Sequence, residues 1–360
     1  MITLSALAQS ERRQSVGTMY YQLLDEINPM LQNAAAIIKA SQRVLVSMHC
    51  RPDGDAAGSA IAMLHLLKAL NKEVTLFNVD EIPANFAFLQ GAEECERSLP
   101  QNASYDLLIV VDCAEPRLLG KRFPQDLDVK KTLYIDHHSV PYVGADVILH
   151  SAKASAAGEL IFHLFNTLAV PITIAVAETL YTSILTDTGS FRYSCTSADC
   201  LAVSSVLVGT GLDVWRISSF VYENNPVEKL KLLGMVLPTL WISEDGRLAS
   251  LHATRDMLRA CRCSGAMTDG FINYARSVAG VEVSIFLTQL EEGSYRLSFR
   301  SRGNLDVSLI AASFGGGGHK NAAACTVDGD LEDIRQRVQV IIDKIPPNTD
   351  CSDTVLRACL

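Results

Sequence analysis

Three short apolar runs in the first half of the chain are each followed at once by a histidine or an aspartate. The three junctions are Met48-His49, Val111-Asp112 and Ile135-Asp136. Such runs, rich in valine, isoleucine and leucine and separated by segments with helical apolar periodicity, predict buried strands of a parallel sheet. Because ligands bind beyond the carboxyl ends of the strands in such sheets, these polar residues are expected to meet at one edge.

The rest of the pattern predicts two domains. In the first half, strands are predicted over 43–48, 74–78, 107–111 and 132–135, and helices over 20–40, 56–70, 156–168 and 172–185. In the second half, strands are predicted over 247–252, 281–290 and 295–301, with a hairpin turn at 291–294. The predicted fold class is α/β, with a parallel-sheet N-terminal domain that carries helices on both faces and a smaller mixed α/β C-terminal domain.

The composition limits the partners of the chain. Its 360 residues carry a net charge of −9 at pH 7 and 7% aromatic residues, so no basic, aromatic channel for long nucleic acid is expected. The apolar stretch 172–185 is interrupted by polar residues before the roughly 20 residues that a membrane span needs. Ten cysteines are scattered through the sequence, and we expect no leader segment. We expect a soluble cytoplasmic protein with reduced thiols and a small anionic ligand.

Four short motifs carry side chains of the kinds that bind metals. The first runs from His49 to Asp55 and contains Asp53, with Gly54 expected to let the turn aim both carboxylates inward. The others are Asp112, the triplet Asp136-His137-His138, and Asp187 in a Thr-Asp-Thr-Gly segment. Each motif alone is more typical of a turn, a cap or a surface pair. Their order and their placement at the ends of predicted elements favour one shared site.

The charges of these motifs imply bound cations. Four carboxylates buried together would repel one another and lose hydration, so the cluster makes sense only if divalent ions neutralise it. They belong to Asp53, Asp55, Asp112 and Asp187. Carboxylate oxygens with a minority of imidazole nitrogens suit manganese better than calcium. We expect two Mn2+ ions, which can activate a water molecule and polarise a phosphoryl oxygen for phosphoester hydrolysis.

With these four motifs in this order, the chain resembles the DHH phosphoesterase superfamily over about residues 40–345. The triplet Asp136-His137-His138 is the motif from which that family takes its name. The resemblance implies two sets of metal ligands, His49 and Asp53 for one ion and Asp55, His137 and Asp187 for the other.

The resemblance also implies roles for further residues of these motifs. Asp112 is expected to bridge the two ions, and His138 to face the scissile phosphate. Asp136 is expected to orient an imidazole by a hydrogen bond.

A run of four glycines in the second half is a further candidate site. Gly315, Gly316, Gly317 and Gly318 precede His319, and backbone N–H groups without neighbouring side chains can approach a phosphate closely. Alone, such a run is more often a flexible connector. It resembles the GGGH loop of the DHHA1 domain, which binds the nucleotide portion of the substrate. The resemblance implies that the four glycines, His319 and Arg300 bind the substrate here. Ala324 departs from that family's pattern, in which glycine is usual.

The resemblance implies a phosphoesterase that degrades very short oligonucleotides, as a nanoRNase, and dephosphorylates 3′-phosphoadenosine 5′-phosphate. The open alternatives are a phosphodiesterase for cyclic or linear dinucleotides, a RecJ-like single-strand exonuclease and a non-catalytic nucleotide sensor. Long duplex nucleic acid and membranes are not expected as partners, and a homodimer is compatible with the sequence. The expected organisation is a flexible arm (1–18), a DHH catalytic domain (19–205), a helical linker (206–235), a DHHA1 substrate-binding domain (236–346) and a tail (347–360).

Overall fold

The structure is a computed structural model that describes residues 22–139, 142–303 and 305–345, with only the backbone of Gln22 and His319. The predicted arm (1–18) and tail (347–360) lie outside these residues. The chain divides into two compact units between Asn224 and Asn225. This division falls inside the segment 206–235, whose role as a linker stays a prediction.

Six parallel strands form the sheet of the first unit. They are β1 (Arg43–Met48), β2 (Glu73–Phe77), β3 (Cys95–Glu96), β4 (Ser104–Val111), β5 (Asp128–Asp136) and β6 (Val147–His150), and their order in the sheet is β3-β2-β1-β4-β5-β6. The four predicted strands are confirmed. The edge strands β3 and β6 were not predicted because they are too short to show a pattern. The chain reverses its direction of progress across the sheet between β1 and β4, which is where α/β sheets bind ligands.

The α-helices of the first unit share one hydrophobic core with one face of this sheet. They are α1 (Gln22–Ala40), α2 (Gly54–Ala69), α3 (Ala157–Thr167), α4 (Ile174–Asp187), α5 (Ala198–Gly209) and α6 (Val214–Ser218), followed by a π-helical turn over Ser219–Glu223. Among the described residues, no single helix is long and apolar enough to cross a membrane. Ala198–Gly209 and Val214–Glu223, bent by 116°, meet that length and composition only as a pair.

The opposite face of the sheet is covered mainly by loops. Its core contains Leu45, Val110 and Tyr134, and the residues that cover it come from loops and from the 3-10 helix Pro116–Leu119, with no α-helical residue among those described. Of the helices predicted on both faces, the described residues therefore place the α-helices on one face and a 3-10 helix on the other. The connection from β4 to β5 crosses this face, but its prolines and glycine interrupt helical hydrogen bonding.

The second unit is built on a mixed sheet of six strands. They are β7 (Trp241–Ile242), β8 (Leu248–Ala253), β9 (Val283–Glu291), β10 (Ser294–Ser301), β11 (Gly317–His319) and β12 (Ala322–Asp328), in the order β11-β12-β10-β9-β8-β7. Only β8 and β9 run parallel, so the predicted mixed domain is confirmed. Its helices are α7 (Val227–Val236), α8 (Arg255–Ala260), α9 (Ile272–Arg276), α10 (Val307–Ser313) and α11 (Leu331–Ile342).

The glycine run is not a loop over its whole length. Its second half belongs to the edge strand β11, which pairs with β12, whereas Gly315 turns the chain with a φ of +74°. A Cβ on Gly316 would lie 2.2 Å from the carbonyl oxygen of Ala324. Glycine is required there because the backbone of β12 approaches too closely for any side chain.

Candidate metal centre

The parallel register brings the predicted strand-end residues together. Met48 pairs with Val111, and Val111 pairs with Ile135, so β1, β4 and β5 end side by side. Asp112 follows β4 with a φ of +47°, a conformation that costs a non-glycine residue free energy. Its N–H still donates to the carbonyl oxygen of Ile135 at 2.9 Å. The sheet ladder therefore holds the strained residue that stands at the middle of the site.

The first motif is fixed by the start of α2. Asp53 caps this helix, and its Oδ1 accepts from the N–H groups of Asp55 and Ala56 at 3.0 and 3.1 Å. Gly54 does not serve the turn as predicted, because its φ is not in the left-handed region. Instead, a Cβ there would lie 2.4 Å from the side chain of Thr186. This close approach brings the start of α2 next to Asp187 at the end of α4.

All six predicted metal ligands lie in one cluster, and His138 joins them. Three groups each have ligand atoms within 4.8 Å of one another: His49, Asp53 and Asp112; Asp55, His137 and Asp187; and Asp112, His137 and His138. Asp112 is shared, with one carboxylate oxygen 3.5 Å from His49 Nε2 and the other 3.6 Å from His137 Nε2. His137 Nε2 lies 3.4 Å from Asp55 and 3.5 Å from Asp187. The two ligand sets predicted from the family resemblance therefore correspond to two spatial groups joined at Asp112.

The pKa values of the carboxylates reflect their burial close to one another. Burial, reinforced by the charge of Asp112, raises the pKa of Asp55 to about 6. Burial also raises the pKa of Asp187 to about 7, and the charges of Asp55 and Asp112 add to this. Burial opposes ionisation of Asp112 too, but hydrogen bonds to His137 and His49 hold its pKa well below the usual range. Asp55 and Asp187 therefore hold protons more readily than an exposed aspartate does, unless a cation other than a proton neutralises their charge.

The pKa values of two imidazoles are also raised, but here the cause is attraction to the carboxylates rather than burial. Burial alone would lower the pKa of His49, but Asp112 and Asp53 outweigh it and raise that pKa to about 11. The pKa of His137 is likewise raised well above its usual value, mainly by Asp112 and Asp55 against the effect of burial. In the protein alone, protons on these rings balance the buried carboxylates. A divalent cation at the same place would supply that balance without protons, and it fits this set of oxygen and nitrogen donors.

Asp55 is held by partners that the sequence did not reveal. Its Oδ1 accepts from Ser59 Oγ at 2.8 Å and from Ser183 Oγ at 2.6 Å, and its Oδ2 accepts from the Ala157 N–H at 2.8 Å. Ser59 lies one helical turn after Asp55, a spacing that could have signalled the contact. No local signal points to Ser183 or Ala157, which approach through helix packing.

Asp136 lies against the second histidine of the triplet. Its Oδ1 is 2.7 Å from His138 Nδ1, and the carboxylate is buried. A carboxylate accepts, so Nδ1 carries the hydrogen. The expected orienting contact is therefore made to His138.

The second unit contains a separate pocket of about 330 Å³ beside the glycine run. Of the predicted residues, Arg300, Gly317 and Gly318 line it, whereas Gly315 and Gly316 are not among its described lining residues. His319 is described only by its backbone. Asp269, Arg296 and Ser298 also line the pocket and were not predicted. Positions 296, 298 and 300 alternate along β10, and this period of two could have indicated that they share one face.

Comparison with known proteins gives two family matches. The DHH family, N-terminal domain, matches residues 43–184, and the DHHA1 domain matches residues 261–344. A Thermus thermophilus protein named bifunctional oligoribonuclease and PAP phosphatase NrnA is 34% identical over 313 residues, covering 84% of this chain and 90% of that protein. A Bacillus subtilis protein of the same name is 25% identical, covering 79% of this chain and 89% of that protein.

A solved structure extends the likeness to the fold. An exopolyphosphatase-related protein from Bacteroides fragilis superposes with a TM-score of 0.80 at 23% identity. The match covers 88% of this chain and 96% of the other. At this identity the comparison bears on the fold alone.

Proposed function

The chain belongs to the DHH family of phosphoesterases and carries a DHHA1 domain, and on that premise we propose that it is a manganese-dependent hydrolase of very short oligonucleotides that also dephosphorylates 3′-phosphoadenosine 5′-phosphate. The observation that carries the proposal is the shared position of Asp112 between two groups of ligand atoms. Such an arrangement suits hydrolysis of a phosphate ester.

The residues that would hold the cations follow from these groups. His49, Asp53 and Asp112 would hold one ion, and Asp55, His137 and Asp187 would hold the other together with Asp112. When bound, two such ions supply a hydroxide at neutral pH and polarise a phosphoryl oxygen. Carboxylate oxygens mixed with imidazole nitrogens support manganese as the metal.

The chain's own groups around the cations have separate tasks. Burial lowers the pKa of His138, but the hydrogen bond to Asp136 outweighs this effect and raises that pKa. We propose that Nδ1 keeps the hydrogen that it donates to Asp136, and that the second proton of the imidazolium, on Nε2, contacts the phosphate or passes to the leaving oxygen. Ser59, Ser183 and the Ala157 N–H fix the carboxylate of Asp55 in one orientation. These contacts cost no reorganisation during the reaction, which is how a prearranged polar site lowers a barrier.

The size and charge of the pocket beside the glycine run support a small nucleotide as substrate. A volume of about 330 Å³ is in the lower part of the range of small-molecule sites. The positive charges of Arg296 and Arg300 exceed the single negative charge of Asp269 in its lining, and Gly317 and Gly318 leave the backbone accessible. We propose that these residues bind the phosphate of one nucleotide, as the likeness to enzymes named oligoribonuclease and PAP phosphatase suggests.

The proposal is tested by giving the purified protein and Mn2+ four substrates in parallel. These are a ribonucleotide 2-mer, a 24-mer, 3′-phosphoadenosine 5′-phosphate and a cyclic dinucleotide. Rapid hydrolysis of the 2-mer and of 3′-phosphoadenosine 5′-phosphate is expected, with Asp112→Asn as the control for contaminating nucleases. Preference for the 24-mer would support a RecJ-like exonuclease instead, and preference for the cyclic dinucleotide would support a cyclic-dinucleotide phosphodiesterase.

A further inference from the structure

The turn that carries His137 and His138 begins where the sheet ends. Asp136 is the last residue of β5, and its sheet partner is His150, the last residue of β6. Beyond this pair, the ladder of backbone hydrogen bonds no longer fixes the chain. The positions of both histidines therefore depend on contacts made after the strand has ended.

His150 makes such a contact. Its Nε2 lies 2.6 Å from the carbonyl oxygen of His138. A carbonyl oxygen can only accept, so Nε2 carries the hydrogen and donates. The contact joins the end of an edge strand to the backbone of the DHH triplet. The His150 side chain is partly buried, so water competes with this bond only in part.

The segment after His150 is itself fixed to α1. Glu26 accepts from Ser151 Oγ at 2.8 Å and from Lys153 Nζ at 2.5 Å. The Ser151 N–H also lies 3.4 Å from the carbonyl oxygen of Asp136. The support for the triplet thus runs from α1 through the end of β6 to the carbonyl group of His138.

We propose that His150 is a positioning residue, which holds the turn of the triplet so that His137 and His138 keep their places in the cluster. This inference rests on the proposed function of the same site. His137 Nε2 faces three carboxylates at 3.4 to 3.6 Å, and a turn that moved by even part of an ångström would disturb all three distances. The side chain of His150 acts through its hydrogen bond to the backbone and has no part in proton transfer.

Substitution of His150 by amide side chains distinguishes a hydrogen bond to the backbone from proton transfer. In His150→Gln, the amide nitrogen is as far from Cβ as Nε2 of histidine, so it can still donate to the His138 carbonyl group. In His150→Asn, the amide nitrogen corresponds to Nδ1 and falls short. His150→Leu removes the donor at similar volume. All three variants lack the titratable imidazole, so His150→Gln and His150→Asn form a matched pair that differs in the reach of the donor.

The measurements are kcat and KM for whichever phosphoester the wild type hydrolyses, with the midpoint of thermal unfolding for each variant. We expect His150→Asn and His150→Leu to lower kcat by about 10- to 100-fold, the range seen when the support of a metal ligand is removed. KM should change little, and the kcat of His150→Gln should stay within about threefold of the wild-type value. Equal activity of His150→Gln and His150→Asn, whether both high or both low, would overturn the proposal.

A second variant covers the case in which the His150 variants do not fold. Glu26→Ala removes the partner of Ser151 and Lys153 without touching His150, and we expect a smaller loss of kcat with unchanged KM. An unchanged kcat in that variant would contradict the proposed support. If the wild type itself hydrolyses none of the four substrates, the proposed function fails, and that failure is visible before any variant is compared.

Discussion

Replacing Asp112 with asparagine tests the centre of the proposed mechanism. The two side chains have the same shape, so the cavity is kept while one anionic oxygen becomes an amide group. Asp112 is buried, and its two oxygens lie 3.5 Å from His49 and 3.6 Å from His137. Both ligand groups lose charge through one substitution, which no other residue of the cluster allows.

The size of the effect follows from this shared position. Losing even an outer contact of a metal ligand weakens metal binding about 10- to 100-fold, and Asp112 would be a direct ligand in both groups. We expect kcat to fall by at least about 1,000-fold, which corresponds to about 4 kcal/mol of lost transition-state stabilisation. The number of Mn2+ ions bound per chain should also fall.

The assay is single-turnover hydrolysis of a 2-mer together with a count of bound Mn2+. Asp106→Asn is a suitable control because it lies on the same strand, β4, near its amino-terminal end. Its carboxylate accepts from the N–H groups of Gln42 and Arg43 and pairs with Lys130, all outside the cluster. Near-normal hydrolysis by Asp112→Asn, with two ions still bound, would refute the reasoning.

Three further predictions use other parts of the chain. Arg296→Ala should raise KM for the 2-mer by about 10-fold, a loss of about 1.4 kcal/mol, with little change in kcat; a fall in kcat alone would contradict its role in binding. Gly316→Ala should lower the midpoint of thermal unfolding, because its Cβ would meet backbone 2.2 Å away, whereas Gly317→Ala meets nothing within 4 Å and should not. The stabilisation by Mn2+, measured as a rise in that midpoint, should grow as the pH rises through about 6 and 7. Below this pH window, protons on Asp55 and Asp187 stabilise the metal-free protein, and these protons are lost as the pH rises through the two raised pKa values. A rise in the midpoint on adding Mn2+ that did not change with pH would contradict this prediction.

Much of the first unit could be predicted because its signals are local. An apolar run followed at once by a polar residue marks the end of a buried strand, and parallel strands end at a common edge. The placement of His49, Asp112 and Asp136 at that edge follows from this pattern and from the register of β1, β4 and β5. Short strands such as β6 carry too few residues to show any period, so they were missed.

The sequence by itself determined which side chains stand at strand ends and helix ends, since chain order and side-chain period are local properties. Only the tertiary structure decided how those ends are held. Ser183 reaches Asp55 across 128 positions of the sequence, and Gly54 is required by the packing of Thr186 rather than by its own turn. Which face of a sheet receives helices, and which side chains of β10 share a pocket, likewise depend on packing between distant segments. Such packing is set by the shapes of both partners together, so neither segment reveals it alone.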